Sequence, residues 1–99
     1  MRARGLSMER DIEKRLMTGI KNMGGRAYKW VSPGNAGVPD RIVLLPGGKI
    51  WFVELKTETG KTTRLQEAEI RVLSRMGFNI RVLHGLAEVE AFIVEVMQK

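Results

Sequence analysis

The sequence has no cysteine and only one histidine, His84. The absence of cysteine excludes disulfide bonds and thiolate metal sites, and a single histidine cannot build a metal site from several imidazoles. No apolar run approaches the roughly 18 residues of a membrane-spanning helix. The basic start of the chain also lacks the apolar segment of a secretory signal peptide. These absences fit a protein of a reducing cell interior.

The length, composition and net charge of the sequence indicate one basic globular domain. Its 99 residues allow one hydrophobic core and are too few for two. Charged residues make up 28% of the chain and apolar residues 43%, as in an ordinary globular protein. The net charge of +6 favours an anionic partner, although many small soluble proteins are basic without binding nucleic acid.

Hydrophobic periodicity and turn residues predict seven secondary-structure elements after a flexible basic arm at residues 1–7. The predicted order is a helix at 7–23, strands at 26–31, 40–45 and 50–55, a helix at 64–76, a strand at 79–83 and a helix at 87–98. Because the fourth strand follows a crossover helix, we expect it to run parallel to its neighbour. The sequence thus predicts one α/β domain, residues 8–99, whose mixed four-stranded sheet has helices on both faces.

Local signals further define the first two helices. Ser7 is a suitable N-cap for the first helix, and Thr63 is one for the second, with Gln66 in the capping-box position. The apolar row of the first helix consists of Ile12, Leu16, Ile20 and Met23. The spacing in the second helix predicts a buried row of Leu65, Ala68, Val72 and Met76.

The stretch from Gly37 to Lys56 joins two apolar strands through a Pro-Gly-Gly-Lys turn. Side chains alternate across a strand, so Glu54 and Lys56 share one face. Pairing across the hairpin brings Asp40 level with both. Such charges at the edge of an apolar sheet are costly unless they bind something, and Mg²⁺ is typically held by one or two carboxylates. The hairpin therefore predicts a divalent-metal site; the alternative is a surface ion pair between Glu54 and Lys56, which contributes little.

An acid and a loop lie next to this predicted site. Glu9 falls within the apolar row of the first helix. Its carboxylate either escapes to solvent at the helix end or reaches over the core to Asp40 and Glu54. Loop 32–39 is rich in proline and glycine; it either brings backbone N–H groups to a phosphate or simply connects two strands.

Five sequence features follow one another along the chain. They are Glu9-Arg10 followed by Leu16, then Gly24-Gly25, the GVPDR segment at 37–41, FVELK at 52–56, and Gln66 at the start of a predicted helix. In this order they resemble the PD-(D/E)xK nuclease superfamily and, more narrowly, the stand-alone VRR-NUC (virus-type replication-repair nuclease) domain. The resemblance covers about residues 8–96. It implies a restriction-endonuclease-like core and a metal-dependent DNA endonuclease.

The resemblance also implies catalytic roles for Glu9, Asp40, Glu54, Lys56 and Gln66. Asp40 and Glu54 would bind Mg²⁺ or Mn²⁺ together with the backbone carbonyl of Leu55. Glu9 would join through a water molecule, with Glu13 as the alternative first-helix acid. Lys56 would orient the attacking water and offset charge on the phosphate, and Gln66 would support Lys56 or a phosphate.

The substrate implied by the resemblance is branched DNA, and small stand-alone members are similar to Holliday-junction resolvases. A symmetric cut of a four-way junction needs two sites, so a homodimer is expected. The last helix and the methionines at 17, 23, 76 and 97 are candidates for its interface. Candidate DNA contacts are Ser32, Asn35, Lys29, Arg41, Lys61 and Arg64, although solvated surface is an equally good reading of these residues.

Two other functions remain open for such a sequence. One is a nicking or flap nuclease that acts with a helicase or replication partner. The other is a nuclease-fold DNA-binding module without activity, although the intact Asp40, Glu54 and Lys56 argue against it. The small size and the resemblance further imply a phage or prophage protein in the cytoplasm of a bacterial host, with no membrane partner.

Overall fold

The computed structural model describes residues 6–98, so residues 1–5 of the predicted arm lie outside the described part of the chain. The elements are α1 (Glu9–Asn22), β1 (Arg26–Lys29), β2 (Arg41–Leu45), β3 (Lys49–Lys56), α2 (Arg64–Arg75), β4 (Asn79–His84) and α3 (Gly85–Met97). Their order is the predicted one. Within residues 6–98, no helix combines the length and the apolar character that crossing a membrane requires.

The four strands form one sheet in the order β1-β2-β3-β4. β1, β2 and β3 pair antiparallel, as a meander with short connections allows. β4 pairs parallel with β3, because α2 carries the chain back across the sheet before β4 begins. The predicted mixed four-stranded α/β fold is thus confirmed.

The main core lies between one face of the sheet and the helices α1 and α3. The predicted α1 row is buried here through Ile12, Leu16 and Ile20, with Met23 partly buried beside them. Every second residue of β3 faces these helices. Val53 is fully buried among them, and the indole of Trp51 packs edge-on against Phe92 at 5.3 Å between ring centroids.

The opposite face of the sheet is covered less completely than predicted. α2 packs against β4 on this side. Over the other strands, apolar side chains stay exposed: Ile50 is 41% exposed and Tyr28 is 55% exposed. The prediction that helices cover both faces therefore holds for the α1 and α3 side and fails for much of the α2 side.

α2 also buries a different row from the predicted one. Leu73 is its buried residue, whereas Leu65 is 62%, Val72 45% and Met76 60% exposed. The cause lies at the N-terminus of the helix, where the predicted capping box between Thr63 and Gln66 is present. The Gln66 side chain is also bonded to the sheet, and at 100° per residue Leu73 then faces the sheet as well. The side of the helix next to this buried face therefore carries the exposed residues Leu65, Val72 and Met76.

Candidate active site

The register of the hairpin brings Asp40 opposite Glu54. Arg41, the first residue of β2, pairs with Val53 of β3. Asp40, just before β2, therefore lies across from Glu54. The backbone N–H of Asp40 donates to Glu54 Oε1 at 3.2 Å. The backbone N–H of Leu55 donates to Asp40 Oδ2 at 3.1 Å. Both carboxylates therefore lie together at one end of the β2–β3 pair.

Pro39 explains why the strand ladder opens at this point. The register, continued by one further hydrogen-bonded pair, would place Pro39 opposite Leu55. Proline has no N–H to donate, so the ladder cannot supply a donor to the Leu55 carbonyl. The Leu55 N–H donates to the Asp40 side chain instead. The proline thus leaves the Leu55 carbonyl without a backbone donor from the β2 side.

Glu54 is a buried carboxylate held by three donors. Its side chain is 2% exposed, against 17% for Lys56. Oε2 accepts a hydrogen bond from Gln66 Nε2 at 2.9 Å and lies 3.2 Å from Lys56 Nζ. Oε1 accepts from the Asp40 backbone. Gln66 therefore supports Glu54, rather than Lys56 or a phosphate as expected from the sequence.

The electrostatics of the pair favour a cation. Burial raises the pKa of the Glu54 carboxyl above its ordinary value, and the charge of Asp40 raises it further, whereas Lys56 offsets part of both effects. Two carboxylates and one ammonium leave a net negative charge around the buried Glu54. Among residues 6–98 there is no group of three or more His, Cys, Asp or Glu side chains placed to hold a metal. A carboxylate pair with open positions is nonetheless the usual protein contribution to a Mg²⁺ site.

A cavity of about 380 Å³ opens in front of these groups. Its lining includes both first-helix acids, Glu9 and Glu13, besides Asp40, Glu54 and Lys56. Glu13 Oε2 lies 3.6 Å from a guanidinium nitrogen of Arg41. Both acids are exposed at the cavity, and they differ because Glu13 is paired with Arg41.

The candidate DNA contacts separate into three groups. Lys61 is exposed and lines the cavity, and Lys29 and Arg64 are exposed at β1 and at the start of α2. Ser32 and Asn35 lie in loop 32–39, where the Asn35 N–H donates to the Ser32 carbonyl at 3.0 Å. The Asn35 side chain accepts from the Gly37 N–H at 3.0 Å and donates to Glu69 at 3.3 Å. Asn35 therefore shapes the loop and fastens it to α2.

Arg41 forms the third group, because its side chain is mostly buried. Side chains alternate along β2, so Arg41 points to the α1 side of the sheet while Asp40 points to the cavity. Its side chain is 9% exposed, and within residues 6–98 its Nε has no hydrogen-bond partner. Its guanidinium lies against Glu13 of α1, which lines the cavity, so a DNA contact of Arg41 stays a prediction.

Sequence reasoning missed the contact that holds the start of α1. The N-cap of α1 is Met8 and not Ser7. Ser7 instead donates two hydrogen bonds to the carboxylate of Glu58, which follows β3. The two residues are 51 positions apart, and neither lies in a recognisable motif, so no sequence signal pairs them. Thr57 and Gly60 likewise line the cavity without having been singled out.

Comparison with known proteins decides the family. No protein-family model matches the chain. Over 78 residues, the chain is 49% identical to "Putative nuclease p44" of Acyrthosiphon pisum secondary endosymbiont phage 1, covering 79% of this chain and 84% of that protein. A solved structure described as "VRR_NUC domain" matches with a TM-score of 0.82 and 32% identity, covering 87% of this chain and 94% of that one. The chain belongs to the VRR-NUC family.

Membership in the VRR-NUC family confirms the resemblance on which the sequence interpretation depended, and it supports nuclease activity. In this VRR-NUC protein, Asp40, Glu54, Lys56 and Gln66 come from three separate elements and meet at one cavity. The loop that delivers Asp40 is packed tightly on α2, because a Cβ at Gly37 would collide with the backbone carbonyl of Leu65. Glycine at this position thus lets the loop reach the cavity.

Proposed function

We propose that this VRR-NUC protein is a divalent-metal-dependent, structure-specific DNA endonuclease that cuts Holliday (four-way) junctions as a homodimer. The observation that carries the proposal is the pairing of buried Glu54 with half-buried Asp40 beside Lys56 at an open cavity. Burying Glu54 next to a second carboxylate is unfavourable, and the pKa of Glu54 is raised although Lys56 offsets part of that cost. A site of this kind is explained by a metal ion and an anionic phosphodiester.

Asp40 and Glu54 would hold Mg²⁺ or Mn²⁺, and the Leu55 carbonyl is the further proposed oxygen ligand. When bound, such an ion would polarise the scissile phosphate and lower the pKa of the attacking water. The donor set fits a hard cation, since each of these groups binds through oxygen. The Leu55 N–H holds the Asp40 carboxylate in place.

The remaining side chains act on the phosphate and on the geometry of the acids. Lys56 Nζ, 3.2 Å from Glu54, is placed to orient the attacking water and to offset negative charge that develops on the phosphate. Gln66 fixes the Glu54 carboxylate through a 2.9 Å hydrogen bond. Glu9 is the first-helix acid of the site, because Glu13 is engaged by Arg41. Glu9 would act through a water molecule.

DNA is the expected partner because the chain carries a net charge of +6. Lys61 is exposed and lines the cavity, and Arg64 is exposed at the start of α2, two residues before Gln66. No base-reading motif is recognisable, so recognition of DNA shape is expected instead of sequence. The phage origin of the related protein supports a phage or prophage protein that acts on DNA in the host cytoplasm.

A homodimer is supported by an exposed apolar surface formed by α2 and the open face of the sheet, which we call the α2 groove. Its floor is a chain of aromatic rings on the open face of the sheet. Trp30 packs against Phe52 at 5.1 Å between centroids, and Phe52 packs against Phe78 at 5.5 Å. The exposed residues of the groove are Tyr28, Ile50, Leu65, Val72, Met76 and Phe78, each at least two-fifths exposed. Contiguous apolar patches of this kind mark protein interfaces.

The exposed row of α2 borders this floor. Leu65 and Val72 lie four and three residues from Glu69, and Met76 lies four residues after Val72, so all four share one side of the helix. Glu69 is bonded by Asn35 of the loop that joins β1 to β2. That side of α2 therefore faces β1 and β2, where the sheet is open. Because a two-fold interface uses the same patch twice, a dimer formed through the α2 groove would bring two cavities into one assembly.

Cleavage assays on three DNA forms test the proposed activity. Wild-type protein with Mg²⁺ or Mn²⁺ is expected to make paired symmetric cuts in four-way junctions, and Lys56→Ala is expected to lose them. Chelation with EDTA should abolish cutting. Single-strand cuts confined to flaps would contradict the junction assignment and favour a nuclease with a helicase or replication partner. Metal-dependent DNA binding without any cleavage would contradict the proposal that the protein is an enzyme.

Two methionines of equal exposure provide a matched test of the dimer surface. Met76 in the α2 groove and Met97 at the end of α3 are each 60% exposed. Wild-type protein is expected to be a dimer in light scattering after gel filtration, Met76→Lys a monomer, and Met97→Lys a dimer, because only Met76→Lys buries a charge in the interface. The monomer should lose paired junction cuts. A monomeric wild type, or loss of the dimer only in Met97→Lys, would overturn the assignment.

A further inference from the structure

Three segments of the chain meet at Ser7, just before α1. The Ser7 N–H donates to Glu58 Oε1 at 2.8 Å, and the Ser7 hydroxyl donates to Glu58 Oε2 at 2.6 Å. The Ser7 Oγ accepts from the backbone N–H of Leu86, at the start of α3, at 3.0 Å. We call this set the α1 anchor. It connects the start of α1, the loop after β3 and the start of α3.

The start of α3 is shaped to receive the Glu58 carboxylate. Gly85 has φ +83°, in the region that favours glycine. A Cβ at Gly85 would also collide with the side chain of Glu58. The hydrogen bonds from Ser7 lower the pKa of Glu58, so its carboxylate remains charged and its hydrogen bonds are of the stronger, charge-assisted kind. The absence of a Cβ at Gly85 thus leaves room for the Glu58 carboxylate.

The N-cap of α1 gives the first turn of the helix no side-chain support. The Met8 side chain makes no capping hydrogen bond, and the Met8 carbonyl accepts from the N–H groups of Asp11 and Ile12. A helix N-terminus without a side-chain cap tends to fray. The α1 anchor, one residue before the N-cap, supplies two hydrogen bonds to a charged group at this point.

We infer that Glu58 is a positioning residue that fixes the first turn of α1 so that Glu9 faces the Asp40–Glu54 cavity. Ser7 precedes Glu9 by two residues, and Glu58 follows Lys56 by two residues. The anchor therefore ties the segment that carries Glu9 directly to the segment that carries Lys56. Its meaning for catalysis rests on the proposed nuclease function, whereas its effect on α1 does not.

Amide hydrogen exchange tests the anchor without reference to activity. Glu58→Gln and Ser7→Ala are expected to speed exchange of the Asp11 and Ile12 N–H groups about tenfold or more, since each variant removes hydrogen bonds to or from a charged group. Ser7→Thr, which keeps the hydroxyl, should exchange like wild type. Glu90→Gln is the matched control, because Glu90 pairs with Arg15 of α1 on the surface. Unchanged exchange in Glu58→Gln would overturn the anchor.

A double-mutant cycle tests whether the anchor acts through Glu9. Glu58→Gln is expected to lower single-turnover cleavage about tenfold and to cause no further loss in a Glu9→Gln background. Independent, multiplying losses would overturn the link to Glu9, because they would show that Glu58 acts elsewhere. If wild-type protein cuts no DNA, the proposed function fails, whereas the exchange measurement still decides whether the anchor holds α1.

Discussion

We expect Glu54→Gln to lower the cleavage rate at saturating Mg²⁺ by about 10³-fold or more, while DNA binding stays intact or becomes tighter. Glu54 is a proposed metal ligand, and a metal at this position would contribute several kcal/mol of charge stabilisation in the transition state. Each ~1.36 kcal/mol lost slows the reaction about tenfold. Binding survives because the substitution also removes a negative charge that faces the phosphate.

Single-turnover cleavage and fluorescence anisotropy with labelled four-way DNA measure the two effects separately. Glu67→Gln is the matched control, because Glu67 is exposed one residue after Gln66 and accepts its hydrogen bond from Thr62. This control should cleave at close to the wild-type rate. A wild-type rate in Glu54→Gln would reject Glu54 as a ligand. A loss of binding in Glu54→Gln would show that the variant had lost its structure instead.

We expect Asp40→Asn to raise the Tm of the metal-free protein by a few degrees and to abolish the stabilisation that Mg²⁺ or Mn²⁺ gives the wild type. The substitution removes the like charge next to buried Glu54, and the side-chain amide oxygen of the variant can still accept the Leu55 N–H. About 1 kcal/mol shifts Tm by roughly 4–8 °C in a domain of this size. A metal at 100 times its Kd stabilises by about 2.7 kcal/mol.

The pH dependence of the metal-free protein follows from Glu54. Burial and the charge of Asp40 hold the folded-state pKa of Glu54 above its ordinary value. Glu54 therefore contributes stability below its unfolded-state pKa, and this contribution is lost as the pH rises through the folded-state pKa. Because Asp40→Asn removes one cause of the raised pKa, the variant should lose less stability over that range.

Thermal unfolding with and without metal, between about pH 4 and 8, measures both effects. Asp11→Asn is the control, since Asp11 is the other aspartate of the chain and lies in the first turn of α1. An acid there is favoured by the helix dipole, so Asp11→Asn should not raise Tm, and metal should still stabilise the variant. A wild-type Tm that is indifferent to metal, or a lower Tm in metal-free Asp40→Asn, would contradict the carboxylate pair as a cation site.

Much of the fold could be predicted because its signals are local. The capping box of Thr63 and Gln66, the Pro-Gly-Gly turn of the hairpin and the alternation of β3 each involve neighbours in the chain. The register of a hairpin is also local, so the approach of Asp40 to Glu54 followed from the sequence. The Ser7 N-cap failed for the opposite reason, since Glu58, far along the chain, competes for Ser7.

The amino-acid sequence by itself determined the order of the elements, the parallel return of β4 and the meeting of Asp40, Glu54 and Lys56, because periodicity, turns and hairpin register depend on nearby residues. Only the tertiary structure decided which side of α2 is buried, that Arg41 lies beneath α1, and that Gln66 bonds Glu54. These outcomes depend on how separate elements rotate and pack against one another. A side chain with two plausible partners binds the one that packing brings closer, and chain order does not contain that information.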